Sequence, residues 1–168
     1  ITTKKISSLK SNLSPDIVPN LFNPAQCMRA GKTFIKENNL HEDKFSLLIL
    51  GGKGIGYKYS ENEWDELLEN FSVFCTQSNT KPLFITSPRT PIKVENIIKS
   101  KYDTSFSVLF HSENKRGSFS HLLYVAKNIF VTEDSSTMLS EAISSGKKVA
   151  CVYPCLLYTS PSPRDETK

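Results

Sequence analysis

Three short segments hold most of the groups that could do chemistry in this chain of 168 residues. The first is Gly51-Gly52-Lys53-Gly54-Ile55-Gly56, directly after the apolar run FSLLIL. Glycines after a buried strand let backbone N–H groups come close to an anion, because no Cβ intervenes, and Lys53 adds a positive charge. The spacing is not the dinucleotide G-x-G-x-x-G, and Ser87 and Arg89 stand where an acid is expected about 20 residues on. It is not a Walker loop either, since no Gly-Lys-Ser/Thr closes it. The plain alternative is a glycine-rich tight turn. The second segment is Thr86-Ser87-Pro88-Arg89-Thr90-Pro91. Hydroxyls on Ser87 and Thr90 with the Arg89 fork suit a phosphate or carboxylate, while a capped helix start carrying a surface Arg reads equally well.

The third segment, Val131-Thr132-Glu133-Asp134-Ser135-Ser136-Thr137-Met138, leads to Glu141 and Gly146. A strand ends here in polar residues that open a helix, so Thr132, Asp134, Ser135, Ser136 and the backbone through Met138 sit where amides and hydroxyls meet a phosphate. Glu141 lies far enough into the helix for its carboxylate to accept two hydroxyls of a ribose. Ordinary N-capping by Asp134 or Ser135, with Glu141 solvated, is the competing account.

Other chemistries find little support. His111 follows a strand and could touch a base or phosphate, whereas His41 and His121 read as surface residues, and no Ser-His-Asp set or carboxylate pair emerges. Cys27, Cys75, Cys151 and Cys155 lack the spacing of a metal knuckle, so no metal site is expected and a reducing, cytoplasmic setting is the default. The net charge of +4 comes from dispersed lysines, which argues against nucleic acid and leaves weak peripheral attraction to anionic membranes. No run of about 18 apolar residues exists to span a membrane.

The elements needed to position these groups are legible. Asn23-Pro24 starts a helix running to about residue 38, and FSLLIL at 45–50, apolar on both faces, suits a central parallel strand. Ser60 with Glu63 forms a capping box for a helix through Trp64, Leu67, Leu68, Phe71 and Phe74. Strands follow at 83–86, 107–110, 129–132 and 148–153, and helices at 91–100, 121–128 and 135–145, the last closed by Gly146. This alternation predicts one α/β domain, a Rossmann-like doubly wound parallel sheet, over 23–154. Residues 1–22 read as a connector. Residues 155–168 (CLLYTSPSPRDETK) have the look of translated adaptor sequence, a flexible native tail being the other reading. The opening at Ile1, not Met, leaves room for missing upstream sequence.

LLILGGKGIG, PLFITSPRTP and VTEDSSTMLSEAISSGKKV together resemble the mitochondrial-fission "elongated mitochondria" family with its bacterial members, over about 23–153. Pro88, where the family has Arg, and Lys148, where it has Pro, depart from the pattern. That family resembles in turn the C-terminal, donor-binding half of two-domain GT-B glycosyltransferases. The resemblance implies that Gly51, Gly52 and Gly54 lie near a donor diphosphate, that Ser135 and Ser136 meet phosphate, and that Glu141 binds ribose. It implies a nucleotide-sugar substrate, no cofactor, and a missing N-terminal Rossmann-like domain without which there is no transferase. A non-catalytic adaptor of the fission type, and a nucleotide-sugar epimerase or oxidoreductase, are the alternatives.

Overall fold

The computed structural model describes residues 22–41, 44–52, 59–102, 108–109, 119–132, 134 and 136–152. The chain runs α1 (Pro24–Glu37), β1 (Phe45–Leu50), α2 (Glu61–Gln77), β2 (Lys81–Thr86), α3 (Ile92–Lys101), β3 (Val108–Leu109), α4 (Ser120–Val125), β4 (Ala126–Thr132), α5 (Ser136–Ser144) and β5 (Lys148–Val152). The strands form one parallel sheet in the order β3-β2-β1-β4-β5. The expected α/β, Rossmann-like architecture is the observed one.

Every residue of β1 is buried, because this strand is central and carries helices on both faces. Side chains alternate along it. Phe45, Leu47 and Ile49 point into a core closed by α1, α4 and α5, through Cys27, Leu122, Leu123 and Ala142. Leu48 and Leu50 point the other way, into a core with Trp64, Leu68 and Phe71 of α2 and Val94 and Ile98 of α3. Each fully buried Leu or Ile stabilises the fold by about 1.5–3 kcal/mol. The chain steps outward through β2 and β3 with α2 and α3 on one face, then from β4 to β5 in the opposite direction with α5 on the other. Reversing direction and face together keeps the crossover hand unchanged.

Local signals set the ends. The Asn23 side chain accepts from the Gln26 N–H with Pro24 in the first turn, and the Ser60–Glu63 capping box is complete. Just past the ends of α1 and α2 stand Asn39 and Asn79, both with φ near +50° (51° and 53°), and α5 is followed by Gly146 at φ 72°, the left-handed closures that Asn and Gly tolerate.

The larger departures from the expected boundaries lie at two places, the α4–β4 junction and the start of β2. Helix α4 stops at Val125, not 128, and β4 begins at once: Ala126 pairs with Phe45, Asn128 with Ser46, and the exposed Lys127 is the extra residue of a bulge. The amphipathic pattern of 121–128 hid this helix-to-strand change without a loop. Strand β2 begins at Lys81, two residues before the expected Leu83, through a hydrogen bond from the Lys81 N–H to the Lys44 carbonyl (2.7 Å). Pro82 is tolerated because backbone bonds alternate sides along a parallel strand. Its missing N–H faces away from β1, where β3 pairs only with Phe84 and Ile85 among the described residues.

Candidate functional site

The strand order reverses between β1 and β4, and beyond the carboxyl ends of such strands an open sheet leaves its natural crevice. Three connections meet there. The Gly51 N–H donates to Thr132 Oγ1 (2.7 Å), and the Gly52 N–H donates to Asp134 Oδ2 (2.7 Å), tying the end of β1 to the end of β4. From the β2 side, Thr90 Oγ1 donates to the carbonyls of Leu50 (2.8 Å) and Gly51 (2.5 Å), and Ser87 Oγ donates to the Gly51 carbonyl (3.2 Å). Within that loop the Ser87 N–H reaches Thr90 Oγ1 (2.9 Å), the Arg89 N–H reaches Ser87 Oγ (3.2 Å), and the Thr90 N–H reaches the Ser87 carbonyl (3.0 Å).

The glycines make this knitting sterically feasible. A Cβ on Gly51 would fall on the Asp134 carboxylate, and one on Gly52 would fall on the Arg89 carbonyl. Their role is close approach of three loops.

Charge is distributed unevenly on this rim. The Asp134 side chain is 3% exposed, yet Arg89 Nη2 stands 3.5 Å from Asp134 Oδ2 and the Arg89 side chain is 41% exposed. That separation is long for a charge-assisted bond, so Coulomb attraction holds the guanidinium loosely, and the side chain stays partly open to solvent. Asp134 Oδ1 is buried without a hydrogen-bond partner among the described residues. Nearby, Glu95 in the first turn of α3 is buried at 2% exposure and accepts a 2.5 Å bond from Thr86 Oγ1 at the end of β2. Glu141 is half-buried in α5, and that burial pushes its carboxyl above the ordinary value.

The model of the family described as Mitochondrial fission ELM1 matches residues 10–158. The chain belongs to this family. An uncharacterised protein of Rickettsia prowazekii (strain Madrid E) is 35% identical over 120 residues, covering 68% of this chain and 33% of that protein. The chain thus spans about a third of the length of that curated relative.

Within this member of the ELM1 family, Gly51, Gly52, Ser87, Arg89, Thr90, Thr132 and Asp134 come together on one rim through the bonds described above. Ser136 opens α5 two residues beyond Asp134, with Glu141 five residues further along the helix. Met138 is half-buried and packs against the α1/α4/α5 core. Lys53, Gly54, Ser135 and His111 lie outside the described residues, as do residues 1–21 of the expected connector, Cys155 and the 155–168 tail. His121 of α4 lies against Phe34, with ring centroids 4.7 Å apart.

The sequence reading missed Glu95. Its signal was an acid three residues before Ile98 and next to Val94, on the apolar stripe of α3. It also missed a cleft of about 260 Å³ on the same rim between the first turns of α2 and α3. There Tyr59 stacks on Trp64 (4.3 Å between centroids), and Lys93 pairs with Glu61 at 2.6 Å. Among the described residues no group of three or more His, Cys, Asp or Glu could hold a metal ion, and no helix is long and apolar enough to cross a membrane.

Proposed function

We propose that this chain is the nucleotide-diphosphate-sugar-binding half of a GT-B-like glycosyltransferase, with the acceptor held by a second Rossmann-like domain. One observation carries the reading: the loops after β1, β2 and β4 are tied into a single rim at the strand-order reversal, with the Arg89 guanidinium half-exposed on it. An open parallel sheet binds nucleotides at that place. Arg89 and the amino end of α5 would stabilise the departing diphosphate, as preorganised positive groups do where charge develops. Glu141 would accept the ribose hydroxyls. Cytosolic placement with weak peripheral membrane contact is part of the same proposal.

Calorimetric titration of the full-length protein with UDP and other nucleoside diphosphates tests it. Binding that weakens on Glu141→Ala supports the reading. Absence of binding at millimolar concentration, with Glu141→Ala indistinguishable, removes it.

A non-catalytic adaptor is the second reading. It is favoured by the family's fission name and by the rim amides already being spent on internal bonds. Capture of the same partner proteins by wild-type protein and by nucleotide-site variants would support the adaptor over the transferase.

A further inference from the structure

Resting on that reading of an anionic substrate, we propose that Arg89 is the residue that takes the substrate's phosphate, and that Asp134, which builds the rim, opposes the anion. Of the glycine amides expected to cradle a diphosphate, those of Gly51 and Gly52 are not free to do so. Gly51 donates to Thr132 and Gly52 to Asp134, and the N–H groups of Ser87, Arg89 and Thr90 are all bonded inside their own loop. Pro88 has none to give. Among the described residues of the loops after β1 and β2, the donor left for an anion is therefore a side chain.

Arg89 is that donor. Its guanidinium offers five N–H groups in a fork matching phosphate, is 41% exposed, and contacts Asp134 through one nitrogen at 3.5 Å. Asp134 faces it with a poorly compensated charge. Oδ2 accepts the Gly52 N–H, and Oδ1 is buried with no partner among the described residues. That carboxylate attracts the guanidinium away from a ligand and repels the ligand itself. Asp134→Asn keeps an acceptor oxygen for the Gly52 N–H and removes the charge. It should therefore strengthen anion binding, the reverse of what loss of a contact residue does.

The test is calorimetric titration of the full-length protein with UDP and with inorganic pyrophosphate, at low and high salt, for wild type, Arg89→Ala, Arg89→Lys and Asp134→Asn, with thermal midpoints recorded alongside. The expected results are at least a tenfold loss for Arg89→Ala, as for a charge-assisted bond, with part restored by Arg89→Lys. Asp134→Asn should bind several-fold more tightly at low salt, with the gain shrinking at high salt. Should Asp134→Asn fail to fold, the exposed Arg89 pair decides. UDP binding that ignores Arg89→Ala overturns this proposal and leaves the nucleotide reading standing. Weakened binding in a folded Asp134→Asn also overturns it. Pyrophosphate bound as well as UDP, and dependent on Arg89, supports the proposal while counting against nucleotide recognition. No binding of either by wild type ends both.

Discussion

Replacing Gly52 by Ala should damage this protein more than its position in a loop suggests, because the residue is buried. The added Cβ would land on the Arg89 carbonyl, with the Thr90 nitrogen 2.9 Å away, so backbone rather than a pliable side chain stands in the way. The β1 and β2 connections must separate by more than an ångström to admit the methyl. Separation breaks what joins them: the Thr90 hydroxyl to the Leu50 carbonyl (2.8 Å) and the Ser87 hydroxyl to the Gly51 carbonyl (3.2 Å). It also strains the 2.7 Å bond from the Gly52 N–H to Asp134. A neutral bond contributes about 1 kcal/mol and one to a charged group about 1.5–3 kcal/mol, so losing one of each costs about 2.5–4 kcal/mol. For a chain of this length that lowers Tm by roughly 5–16 °C. The control is Gly146→Ala. Gly146 has φ 72° and open space around its missing Cβ, so only left-handed strain applies, about 1–2 kcal/mol. Chemical denaturation of both variants beside wild type decides the matter. If Gly52→Ala costs no more than Gly146→Ala, the close approach of the two loops is not a structural requirement and the reasoning fails.

Two other outcomes follow from titratable groups. Burial raises the Glu141 pKa in the folded protein, so the stability it contributes is full below its unfolded pKa and is lost as pH rises through the folded value. Glu141→Gln should accordingly gain stability over wild type as pH climbs past the ordinary carboxylate range, while losing any nucleotide affinity; Tm measured from pH 4 to 7 reads the first effect, and a constant difference refutes it. Cys75 is buried with its thiol pushed up to about 11, chiefly by desolvation, and burial also raises Cys27. At pH 8 a thiol reagent should therefore modify the half-buried Cys151 well before either of them, as mass spectrometry of a short time course would reveal, with equal rates contradicting the assignment.

Much of this protein was written in local pattern. The apolar run at 45–50 suited a strand covered on both faces, and the Asn23-Pro24, Ser60–Glu63 and Gly146 signals work within one helical turn, so chain-local chemistry was enough to place them. Family membership was equally legible in the three loop segments. Tertiary structure alone decided what those loop residues do. Whether the Gly51 and Gly52 amides face a ligand or another loop depends on contacts across more than 80 residues of sequence, to Thr132 and Asp134, and no spacing rule reports that distance. The same holds for Glu95, whose burial requires Thr86 opposite it, and for Lys127, which becomes a bulge because β1 fixes the register of β4. Short-range periodicity encodes helices and strands. Which polar groups remain free for chemistry is settled only when distant strand ends are brought together and have satisfied one another.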